Sequence, residues 1–172
     1  MKKNHFIIFC ISACFVAAGI FTSCDLSDTF GKDHPIPEGT NYSVPMSENM
    51  SEPDVDSLSE NSYLQLWEGI QNGIYEYSFY YPALPDGEVF LRCYEVTENI
   101  ELSASRLYEA SKVEVKDHNS FGLIADRQMF TIYEGDWGDY YAARIEVWYK
   151  NSATGKETKL LEEVYRVEGW MR

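Results

Sequence analysis

Residues 59–172 predict an all-β fold, an antiparallel β-sandwich of about seven strands with one short helix, behind a disordered N-terminal tether. Three observations lead there. Runs dense in aromatic and β-branched residues recur at short intervals and are separated by Gly, Pro, Asn and Asp. One run, Tyr140 to Lys150, alternates with a period of two: Tyr141, Ala143, Ile145, Val147 and Tyr149 share one face, and Arg144, Glu146, Trp148 and Lys150 share the other. Helical habit is confined to Leu102–Ala110.

The elements follow in order. Tyr63–Glu68 and Ile74–Tyr81 flank Gln71-Asn72-Gly73, and Asn-Gly between apolar runs is a hairpin signal for a type I′ turn. The alternative is a short helix over Ser59–Asn72, with Ser57 and Glu60 as its capping box. Pro82–Gly87 is a turn cluster. Glu88–Thr97 reads as the next strand and carries Cys93. Ser103 is placed to cap the helix that follows. Lys112–Lys116 and Arg127–Tyr133 read as strands, and Glu157–Glu168 as the last one, with a bulge expected where Glu162-Glu163 interrupts its pattern. This succession resembles the immunoglobulin-like class in outline, although the Cys-Trp-Cys hallmark of antibody domains is absent.

Ahead of the domain, Met1-Lys2-Lys3 opens on a basic note and Phe6–Phe21 is apolar. That run is short for a membrane span of about 20 residues and has the form of a secretory signal. It ends in Phe21-Thr22-Ser23-Cys24, which resembles the lipobox of bacterial lipoproteins processed by signal peptidase II; Phe21 stands where Leu is usual. The resemblance implies that residues 1–23 are removed and that Cys24 carries acyl chains, palmitate among them. Two or more chains hold a protein stably on a bilayer. It further implies a cell-envelope location, expected at the outer membrane, with the periplasmic and surface leaflets both open. Residues 24–58 hold four of the six prolines and few apolar residues, so a flexible tether is expected there, with an r.m.s. reach of about 30 Å and a limit near ~100 Å.

Composition narrows the function. The net charge of −14 becomes −16 once Lys2 and Lys3 leave with the signal, which argues against nucleic acid as a partner. With Cys10 and Cys14 removed and Cys24 acylated, Cys93 is the remaining thiol, so no internal disulfide is expected and the core must hold the domain. Two histidines, His34 and His118, remain in the mature part, and no nucleophile elbow, zinc-binding helix motif, P-loop or dinucleotide fingerprint is present. No catalytic residue, metal or cofactor is expected.

The most site-like stretch is Glu134-Gly135-Asp136-Trp137-Gly138-Asp139, where three carboxylates and an indole share one loop. Trp137 could stack on a sugar or peptide while Asp136, Asp139 and Glu134 hydrogen-bond to it; hard oxygen ligands could also hold Ca²⁺, although the spacing is not that of an EF-hand. Ordinary turn chemistry explains the same residues. Trp148 stands on the polar face of its strand as an aromatic offered to solvent. Tyr75, Tyr77, Phe79 and Tyr81 share one face and read as core, or as a platform if exposed. These residues support a non-catalytic binding module for a glycan, peptide or envelope protein. The alternatives are a structural subunit of an envelope complex and a small hydrolase using the loop carboxylates.

Overall fold

The computed structural model describes residues 34–47 and 61–170, with Lys32, Met50 and Leu58 besides. Cys24 and the expected signal segment lie outside these residues. Eight strands and one helix follow in order: β1 Tyr63–Glu68, β2 Ile74–Tyr81, β3 Gly87–Glu95, β4 Glu101–Leu102, α1 Ala104–Ser111, β5 Val113–Val115, β6 Gly122–Thr131, β7 Tyr141–Asn151 and β8 Glu157–Val167. One sheet has the order β1-β2-β6. The other has the order β4-β3-β7-β8, with β5 also paired to β3. All pairings between these strands are antiparallel.

The sheets face each other as a sandwich. β1, β2 and β6 pack on β3, β7 and β8. Tyr141, at the start of β7, donates its hydroxyl to the Glu134 carbonyl 2.8 Å away in the preceding loop. The alternation read along β7 holds, because Tyr141, Ala143, Ile145, Val147 and Tyr149 are all buried. They meet Leu64, Leu66, Tyr77, Phe79, Leu91 and Cys93 in one core. The aromatic stripe on β2 is therefore core at Tyr75, Tyr77 and Phe79, and only Tyr81 is half-buried. Burial raises the Cys93 thiol well above its ordinary range, consistent with a packing residue.

Of the local expectations, the strand reading of the first run holds over the helical alternative, and several others are corrected. Residues 63–68 are strand, and β1 pairs with β2 from Tyr63↔Tyr80 to Glu68↔Tyr75. The turn between them is not type I′, because Gly73 (φ 76°) takes a positive φ and Asn72 does not. The bulge in β8 falls at Leu160, since Val147 faces Leu161 while Trp148 faces Lys159; Glu162 and Glu163 stay in register. Leu102 belongs to β4, and α1 runs one residue past Ala110. Ser103 occupies the N-cap position but makes no capping bond with its side chain, which is engaged elsewhere.

The helix and the N-terminal segment close the two open sides of the sandwich. Along the edge of β3, β5 pairs at Gly87–Val89 and β4 at Cys93–Tyr94. Between them, Ser111 at the end of α1 accepts the Leu91 N–H on its hydroxyl (2.9 Å) and the Tyr77 hydroxyl on its carbonyl (2.5 Å). The other side corrects the expectation of a free tether up to residue 58. Ser43 forms a parallel bridge to Tyr165, and Met46 a parallel bridge to Trp67. Ser43 N–H donates to Val164 O (2.8 Å) and Met46 N–H to Leu66 O (2.9 Å), so the segment joins the edge of β8 to the edge of β1. Unpaired strand edges offer free N–H and C=O groups, and that demand explains why a Pro-rich segment docks here.

Candidate functional site

The loop between β6 and β7 is built as a clamp. Glu134 turns its carboxylate inward, where both oxygens accept the Ser103 N–H (3.0 and 3.1 Å) and Oε2 also accepts the Ser103 hydroxyl (2.9 Å). Ser103 Oγ in turn accepts the Tyr133 N–H at 3.0 Å. Glu134 thus ties this loop to the start of α1. Gly138 donates its N–H to Glu168 Oε2 at 2.7 Å, and Asp139 donates its N–H to Asp136 O at 3.3 Å. Gly169 lies so close that an added Cβ would stand 2.0 Å from the carbonyl oxygens of Glu134 and Gly135.

Of the residues singled out from sequence, Asp136, Trp137 and Asp139 are half-buried in this loop, with Asp139 3.6 Å from Lys32. Among the described residues no group of three or more His, Cys, Asp or Glu is arranged to hold a metal ion. Trp148 lies seven positions along β7 from the strand's start at the loop, a rise of about 23 Å, so the structure does not join it to the loop. It is not a free platform either. Its indole N–H donates to Glu146 Oε2 (2.8 Å), and the Arg92 guanidinium lies 4.3 Å over its ring. Glu146 collects Arg144 (3.0 Å) and Lys159 (3.3 Å) as well. Burial pushes the Glu146 carboxyl up, but bonds from Trp148, Arg144 and Lys159 outweigh it and hold the group below its ordinary value.

A different site emerges beside the loop. Val44, Pro45, Glu68–Tyr75, Tyr140, Arg166 and Glu168 line a cleft of about 250 Å³ at the end of the sandwich. Its base is fixed: Tyr75 accepts the Glu168 N–H (2.9 Å) on its phenol oxygen and donates to Glu168 O (3.2 Å), and burial keeps that phenol well above its ordinary pKa. Gly73 allows the turn to close under Trp170, whose N would lie 2.4 Å from an added Cβ. The rim is open and mixes exposed polar residues, Glu68, Gln71 and Asn72, with exposed apolar ones: Ile70 is 78% exposed, Val44 52% and Tyr140 42%. Arg166 lies with its guanidinium 4.1 Å over the Tyr140 ring. Its Nε is buried without a hydrogen-bond partner, and no carboxylate among the described residues lies within 4 Å of it.

Sequence reasoning did not find this cleft. Its lining comes from four separate segments, and neither Arg166 nor Ile70 stands in a motif. The one signal available was Tyr140, next to the loop already singled out. Larger hollows occur elsewhere, such as the one of about 500 Å³ around Gly87, Lys112, Val113, Lys150 and Gly155, where Lys150 is ion-paired with Glu88 at 3.6 Å. No protein-family model matches the chain, and neither curated proteins nor solved structures gave a significant match.

Proposed function

We propose that the chain is a lipid-anchored envelope protein whose β-sandwich is a non-catalytic interaction module, and that its working surface is the end bearing the Arg166–Tyr140 cleft. The observation that carries this reading is the contrast between ends and faces. The loop carboxylate of Glu134 and the indole of Trp148 are engaged in internal bonds, whereas the Arg166 guanidinium, with no carboxylate among the described residues within 4 Å, lines a cleft beside three exposed apolar side chains. Tyr and Arg in such a setting are the residue types that dominate binding hot spots. The anchor is read from Cys24 and its flanking residues.

Two experiments test the two halves. A Cys24→Ala chain should lose palmitate label and leave the membrane fraction; retention of both overturns the anchor. A photo-crosslinking residue at Ile70 should give a discrete adduct in cells, and one at Thr154, exposed in the β7–β8 turn, should not. Adducts at Thr154 with none at Ile70 would move the working surface to the opposite end.

A further inference from the structure

We infer that the Arg166–Tyr140 cleft holds the terminal ring of a neutral glycan; this rests on the reading of that end as the working surface and names its ligand. Arg166 lines the cleft with its guanidinium stacked on Tyr140. Its Nε is enclosed by the protein itself, so the donors a ligand can meet are the terminal N–H groups, and the stacking fixes their plane before any ligand arrives.

Charge then selects the ligand. An anion would meet Glu68 and Glu168, which line the same cleft, within a chain of net charge −14. A cation would be placed against the half-buried guanidinium of Arg166, which lines the same cleft. A neutral ligand with several hydroxyls avoids both conflicts. The lining offers it what hydroxyls need: Arg166 donates, Glu68 accepts, and the amides of Gln71 and Asn72 do both. Ile70 and Tyr140 provide apolar surface for the C–H faces of a sugar ring.

Size and backbone oppose an extended peptide. About 250 Å³ lies below the roughly 300–1,000 Å³ of drug-sized sites, which suits one ring at the end of a chain. Peptides commonly bind by adding a strand to a free edge. Here Gly69 N–H already donates to Ile74 O (2.9 Å), Met46 N–H to Leu66 O (2.9 Å) and Glu68 N–H to Met46 O (2.7 Å), so the edge beside the cleft is in use.

The test is an NMR titration of the lipidated chain in a sugar-free phosphocholine detergent, following the Arg166 Nε–H and the side-chain amides of Gln71 and Asn72. The probes are the methyl α- and β-glycosides of glucose, galactose and mannose. At least one should shift all three signals along a saturating curve in about the millimolar range appropriate to a single ring. Arg166→Gln should abolish the amide shifts while leaving the rest of the spectrum unchanged, and Tyr140→Ala should weaken them. The inference is overturned if no glycoside moves these signals at up to ~100 mM, or if acetate or N-acetyl-leucine amide moves them instead. Crosslinking at Ile70 without glycoside shifts would leave the module reading standing and remove only the glycan.

Discussion

Tyr141 links the core to the loop beyond β6 through one hydroxyl. The ring is fully buried, and the O–H donates to Glu134 O at 2.8 Å. Tyr141→Phe keeps the ring and removes that bond, with an expected loss of about 1–3 kcal/mol, read as a lower urea midpoint at an unchanged slope. Gly169→Ala should cost at least as much, because its methyl group would meet two backbone oxygens that cannot swing away. Acid should act through Glu95. Burial pushes its carboxyl up, but the N–H groups of Glu98 (2.7 Å) and Thr97 (2.6 Å) and the Thr97 hydroxyl outweigh this and hold it below the ordinary 4.5. The folded state therefore binds that proton more weakly than the unfolded chain. Its contribution is complete above the unfolded value and is lost as pH falls through the folded one. Glu146 shifts in the same direction and adds to the same acid limb. Urea midpoints should fall on acidification below about 4.5, and the deficit of Glu95→Gln relative to the parent chain should shrink over the same range. At this scale the sequence misled most at Glu134. A carboxylate beside glycines reads as a ligand, whereas its partner, Ser103, stands 31 residues away.

Among the elements, α1 does the work of a strand along part of an edge. Between β4 and β5 it presents Ser111, whose hydroxyl takes the Leu91 N–H that a neighbouring strand would otherwise bond. Ser111→Ala leaves that fully buried donor without an acceptor, at an expected cost of about 1–3 kcal/mol, and Leu91 amide exchange should quicken more than that of its neighbours on β3. The main strands were legible because a half-buried sheet imposes a period of two, and β7 buries Tyr141, Ala143, Ile145, Val147 and Tyr149 on one face, although Ala142 and Glu146 on the other are buried as well. The β1–β2 hairpin was legible from its turn residues, but not its turn type, since Gly73 alone supplies the positive φ. The bulge was placed at Glu162-Glu163 from a break in polarity, yet register is set by the β7 partner, and the extra residue is Leu160. The Ser43–Met46 crossing was not legible at all. Proline and serine read as coil, and the bonds that order this segment come from strands distant in sequence.

For the whole molecule, the docked N-terminal segment shortens the leash. Lys32 lies 3.6 Å from Asp139 and His34 Nδ1 3.7 Å from Glu95, so the chain reaches the sandwich at the end that carries the cleft. From Cys24 to His34 is ten residues, about 35 Å at full stretch whatever path they take, against the ~100 Å of a tether running to residue 58. The sandwich itself is about as long as that span, since the eleven residues of β7 rise about 37 Å. On the proposed anchoring, an acylated Cys24 would hold the cleft end toward the bilayer and the Ser152–Gly155 turn away from it. A ligand would then enter through the gap from the side, which favours a short chain end over a bulky folded partner. The orientation can be measured with the lipidated protein in vesicles that carry a headgroup-linked quencher, comparing a fluorophore at Ile70→Cys with one at Thr154→Cys. Cys93 is fully buried and should not compete for the label. Quenching should be clearly stronger at Ile70. Equal quenching at the two positions, or stronger quenching at Thr154, would mean that the segment from Lys32 to Met46 leaves the sandwich when the chain is anchored.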